Sequence, residues 1–126
     1  MPGRPVLLIG FDPYAVPGAD GTTVDLAIAM GEAALHDAGY ETTYCLIAPD
    51  DPGAEPQIVD ALVRSAFDCV VVGGGIRKPP EFLELFERVV NLIRVHAPAA
   101  AIAFNSTGAD SVDAVRRVLD DGQGVR

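Results

Sequence analysis

Asp68-Cys69-Val70-Val71-Val72-Gly73-Gly74-Gly75-Ile76-Arg77-Lys78-Pro79-Pro80 is the stretch from which the fold can be read. A β-branched run stops at three glycines, two cations follow, then two prolines. An apolar run without polar alternation predicts a strand covered on both faces, as in a parallel sheet. The glycines predict a loop at the strand's carboxyl end, and the prolines predict the start of a helix. In an open α/β sheet such a loop borders the ligand crevice.

Upstream, Val6-Leu7-Leu8-Ile9-Gly10 is a second run of the same kind. The loop after it, 11–21, is about twice the usual strand-to-helix length, and long loops in compact domains tend to carry function. A helix is expected over 23–38. Thr22 and Asp25 form a capping-box pattern, and Gly39 is placed as the C′ glycine. Val24, Ile28, Gly31 and Leu35 share one face of that helix.

A strand over 42–48 ends in the acidic turn Pro49-Asp50-Asp51-Pro52-Gly53. Pro56 then suits the first turn of a second helix that turns Ile58, Ala61, Leu62 and Ala66 inward. Downstream of the opening stretch, a helix over 80–97 stops at Pro98. A strand over 100–104 closes with Asn105-Ser106-Thr107-Gly108. Asp110 or Ser111 caps a last helix to about Leu119, and 122–126 reads as a frayed tail.

The alternation is (βα)₄. It predicts a single α/β domain over 1–126, a three-layer open parallel sheet with right-handed crossovers. The natural strand order is 2-1-3-4, which is flavodoxin-like, a Rossmann-like sheet shortened by one unit.

The chain has 126 residues, 49% of them hydrophobic, enough for one real core. No apolar run approaches the ~20 residues of a membrane span, and no signal-peptide pattern leads the first strand. The expectation is a cytoplasmic protein with no membrane partner. A net charge of −9 argues against nucleic acid, because phosphate neutralisation needs clustered cations. Cys45 and Cys69 each sit in an expected strand and read as small core residues. No spacing of metal ligands occurs, and neither a metal nor a cofactor is expected.

In strand order 2-1-3-4 the chain reverses direction between the first and third strands, and their loops splay apart there. That places Asp12, Pro13 and Tyr14 opposite Gly73, Gly74, Gly75, Arg77 and Lys78, with Asn105, Ser106 and Thr107 on the flank. Such a polar lining suits a small metabolite. The dinucleotide fingerprint fails, because Lys78 stands where its third glycine belongs, and no GxxxxGK[ST] occurs. Pro79 and Pro80 remove amide donors from the helix start, and Glu81 adds negative charge there. A carboxylate or other single anionic group on Arg77, Lys78 and glycine amides survives these tests.

Each candidate has a plainer alternative. Asp12 is an acid–base group or an Asx-turn former before Pro13. Asn105 polarises a substrate carbonyl or merely turns the strand end. Arg77 and Lys78 are a charge clamp or two solvated loop cations, and Tyr14 is a pocket wall or a loop aromatic. Ser106 and Thr107 lack a histidine nearby in sequence and a GxSxG elbow, so they line rather than attack. His36 reads as a surface residue. His96 falls inside an apolar stripe near a helix end, which suits a partly buried imidazole. The stripe of helix 79–97 covers about half its circumference, wider than a sheet requires. It is read as a homodimer face, or else as covered by neighbouring helices.

Gly10-Phe11-Asp12-Pro13, Val70 to Arg77 with Pro79-Pro80, and Phe104-Asn105-Ser106-Thr107 together resemble a family of small stand-alone bacterial α/β proteins. The resemblance spans the chain and implies the fold; no activity comes with it. Gly10 to Tyr14 also resembles the opening of pyroglutamyl peptidases, but no Glu, Cys and His set follows. Receiver domains share the fold type, yet Gly73 stands where their phosphoacceptor aspartate belongs. The functional expectation is a protein that binds a small anionic or carbonyl-bearing metabolite between the first and third strands. Asp12 and Asn105 are its catalytic candidates. The alternative is a non-catalytic homodimeric interaction or regulatory module.

Overall fold

A computed structural model describes residues 3–119. Four parallel strands form one sheet in the order β2-β1-β3-β4. The strands are β1 (Arg4–Phe11), β2 (Tyr40–Ile47), β3 (Cys69–Val72) and β4 (Ala101–Phe104). The helices are α1 (Gly21–Asp37), α2 (Ala54–Arg64), a single turn α3 (Gly74–Arg77), α4 (Leu83–His96) and α5 (Ser111–Val118). The three-layer α/β architecture and its order are those expected from the alternation of elements. The tail over 122–126 lies outside the described residues.

Two cores sit on opposite faces of the sheet. Leu7, Ile9 and Phe11 point with Val70 and Val72 toward α2 and α4. Val6 and Leu8 point with Cys69 and Val71 toward α1 and α5. Period-2 alternation divides each strand between the layers, so the inner strands must be apolar throughout. β1 is paired with β2 over eight residues but with β3 over only four, Val6–Ile9 against Cys69–Val72.

Several local expectations shift. α1 is capped by Asp20 rather than Thr22: its carboxylate accepts from the Thr23 amide at 3.3 Å and the Thr23 hydroxyl at 2.9 Å. Those bonds hold the Asp20 carboxyl below its ordinary value of 3.8. The cap is therefore fully present above that value and is lost as pH falls through the lowered one. Gly39 does take the left-handed conformation after the helix, at φ +94°. α2 ends at Arg64, so Ala66 lies beyond it and is exposed, and Phe67 takes up the core position instead.

Both cysteines are buried, Cys45 at 3% and Cys69 at 0% exposure. Burial raises the Cys45 thiol and pushes Cys69 up to about 12. Neither thiol is expected to react with iodoacetamide at pH 8 in the folded protein, whereas both should in urea. Modification of the folded chain at the unfolded rate would refute the core assignment. Among the described residues no helix is long and apolar enough to cross a membrane.

Candidate functional site

Beneath the N-terminal half of α1, at the carboxyl ends of β1 and β3, lies a pocket of about 100 Å³. Gly10 and Phe11 close one side, Val24 and Ile28 roof it, and Tyr44, Gly75 and Asn105 complete the wall. Its position is the reversal point of the strand order, where loops diverge. Two larger clefts, of about 650 and 470 Å³, flank β2 instead.

Asn105 organises this end of the sheet. It is 5% exposed, and its Oδ1 accepts from the Gly74 amide at 2.8 Å. Its Nδ2 donates to Ser111 Oγ at 2.9 Å, and that hydroxyl donates to the Gly108 carbonyl at 2.8 Å. The side-chain amide thus ties the β3 turn to the start of α5. Gly74 must be glycine, since a Cβ there would meet the Ser106 carbonyl oxygen at 2.5 Å.

The glycine stretch is a helical turn rather than an open loop. The amides of Ile76 and Arg77 return to the Gly73 carbonyl and that of Lys78 to Gly74, while the Gly73 amide bonds the Ile9 carbonyl. With Gly74 bonded to Asn105, these backbone donors point inward. Pro79 ends the turn, a short 3₁₀ turn over Pro80–Phe82 follows, and only then does α4 begin. Arg77 Nη2 donates to the Asn105 carbonyl at 3.0 Å, and the guanidinium lies 5.9 Å from the Phe104 ring centroid. Its Nε is buried without a bonding partner among the described residues. Lys78 is exposed.

On the β1 side, Asp12 is exposed and its carboxylate accepts from the Tyr14 amide at 2.9 Å, an Asx turn. Tyr14 is 68% exposed, and its hydroxyl donates to Asp25 at 3.3 Å. Ser106 and Thr107 give their amides to the Asp110 carboxylate at 3.0 and 3.2 Å, and Thr107 Oγ1 accepts from Ala109. The structure therefore gathers Gly73, Gly74, Arg77 and Asn105 into one network at the β3 and β4 ends, while Ser106 and Thr107 bond to Asp110. Asp12 and Tyr14 bond within their own loop, to α1 and, through the Asp12 amide, to the end of β2.

Tyr44 is the residue that the sequence reading passed over. It lines the pocket from β2, and its hydroxyl is buried without a bonding partner among the described residues. Desolvation, with the Glu32 charge second, raises its pKa to about 12, so it stays a neutral phenol and a donor. The available signal was period 2, which puts Tyr44 on the α1 side with Tyr40.

His36 is exposed and His96 partly buried at the end of α4. On α4 and the turn before it, Phe82, Leu85, Phe86, Val89, Leu92 and Ile93 pack against the sheet core, while Leu83 and Val95 stay exposed. Among the described residues no three His, Cys, Asp or Glu side chains are grouped to hold a metal. Compared with known proteins, the chain matches no family model and no curated protein.

Proposed function

We propose that this protein binds a small carbonyl-bearing metabolite in the pocket between the carboxyl ends of β1 and β3. The observation that carries the reading is Tyr44, which lines this largely apolar pocket at the strand-order reversal and whose neutral hydroxyl is buried without a bonding partner among the described residues. A buried hydroxyl without a partner is unfavourable by roughly 1–3 kcal/mol, and a ligand carbonyl would relieve it. The volume of about 100 Å³ matches roughly three waters at ~30 Å³ each. That is the size of a two- or three-carbon aldehyde, ketone or amide end. An anionic group is the lesser form of the same proposal, because Arg77 already bonds the Asn105 carbonyl and Lys78 is exposed. In a catalytic form of this reading, Asp12, the residue after the lining Phe11, is the acid–base candidate and Asn105 the polarising one.

Thermal shift across short aldehydes, ketones, amides and carboxylates tests this. Saturating a site at 100 times its Kd adds about 2.7 kcal/mol, an easily read rise in Tm. Tyr44→Phe alone should stabilise the free protein by about 1 kcal/mol, through loss of the unpartnered hydroxyl, and should abolish the ligand shift. Arg77→Ala should leave a neutral ligand's shift intact and remove an anion's. No shift from any compound, or a shift that survives Tyr44→Phe, would refute the reading.

A further inference from the structure

The two edges of the sheet differ. β4 is four residues long, and its outward-facing last carbonyl is already taken: Arg117 donates to Phe104 at 2.7 Å. β2 is eight residues long and carries neither proline nor lysine, two common devices that blunt an edge. The Asp12 amide bonds the Ile47 carbonyl at 2.8 Å, so the odd-numbered residues of β2 turn their backbone groups to β1. The even-numbered Tyr40, Thr42, Tyr44 and Leu46 turn theirs outward. The Leu46 carbonyl confirms the parity, since it accepts from the Gln57 side chain at 3.0 Å.

We propose that two copies of this chain pair through β2, antiparallel about a two-fold axis at Thr43, making one eight-stranded sheet. Outward-facing residues can bond only to outward-facing residues, which restricts the register to even sums of the paired residue numbers. The register centred on Thr43 sets all four opposite outward-facing residues of the partner, with Thr42 and Tyr44 making the central bonds while the Leu46 carbonyl keeps its Gln57 bond. Thr42 then exchanges both bonds with the partner's Tyr44, Tyr44 with the partner's Thr42, and Tyr40 lies opposite the partner's Leu46. Aromatic residues opposite β-branched or aliphatic ones are favourable cross-strand pairs. The one charged residue of the strand, Glu41, faces the partner's Cys45, so like charges do not meet.

The flanking layers agree with this occupant. A two-fold axis normal to the sheet sets α2 against the partner's α2, antiparallel. Asp60 and Arg64 line the cleft beside Thr43, so each acid comes alongside the other copy's base. On the opposite face, the cleft beside Thr42 is bordered by exposed Ala29 and Ala33, whose small side chains allow the two α1 helices to approach, and by Glu32, His36 and Asp37. The two clefts along β2 are thereby filled by the same elements of a second copy.

Light scattering of the full chain should give twice 13.2 kDa. Thr42→Pro removes one outward amide and no bond to β1, and proline is tolerated at such edge positions, so a folded monomer is expected. Thr43→Cys puts two thiols at a non-hydrogen-bonded antiparallel pair, with Cα atoms ~4.5 Å apart, within disulfide reach. It should cross-link into a covalent dimer on oxidation. If Thr42→Pro does not fold, Thr43→Lys, which places two ammonium groups at the axis, should still give a monomer. A monomeric mass at every concentration overturns the proposal. So does a dimer that ignores Thr42→Pro and Thr43→Lys and fails to cross-link at position 43, which would move the contact to another face such as α4.

Discussion

Asn105→Ala is expected to lower the unfolding free energy by roughly 2–4 kcal/mol, a large fraction of a small domain's stability. The side chain is 5% exposed and makes bonds at 2.8 and 2.9 Å, one to the Gly74 amide and one to Ser111 Oγ. Alanine leaves the Gly74 donor buried with no acceptor, and an orphaned buried group costs far more than a net hydrogen bond contributes. The loss should spread, because Arg77 bonds the carbonyl of the same residue at 3.0 Å. Urea unfolding monitored by circular dichroism measures it, and hydrogen exchange at Gly74 locates it. A change below about 0.5 kcal/mol, the usual range for surface substitutions, would mean that the network does not hold the two loops together.

Gly31→Ala is the second large effect, and its sign separates local from tertiary control. By helix propensity alone, replacing a mid-helix glycine with alanine stabilises by about 1 kcal/mol. Here the added Cβ would fall on the Gly108 carbonyl oxygen, backbone against backbone. The contact is reciprocal: a Cβ at Gly108 would meet the Cα of Ile28 at 3.0 Å. Neither partner is a side chain that can swing aside, so α1 must lift from the turn before α5. Overpacking of this kind costs about 1–3 kcal/mol and occasionally more. A net loss of up to about 2 kcal/mol is expected after the propensity gain, with a matching fall in Tm. Because Ile28 and Gly108 also wall the pocket, any ligand-induced thermal shift should shrink as well. A Gly31→Ala variant more stable than the parent would show that α1 is free to move.

The (βα)₄ order and the strand order 2-1-3-4 were legible in the sequence. Fully apolar runs such as Val70-Val71-Val72 are local signals, and crossover handedness leaves few ways to connect them. Asp12 shows how far such reading reaches: its Asx turn could be expected because it needs only residues two apart. The single turn at Gly74–Arg77 was not legible, since three successive glycines argue against helix. It forms where Asn105, 31 residues downstream, takes the Gly74 amide. Nor could residue types identify Tyr44, because an unpartnered hydroxyl exists only once α1 has closed over β2. Periodicity and turn chemistry fixed the elements and their order, as short-range steric and solvation effects. Which backbone donors remain free, which glycines touch another backbone and where a pocket remains depended on contacts between distant segments, which only the assembled layers decide.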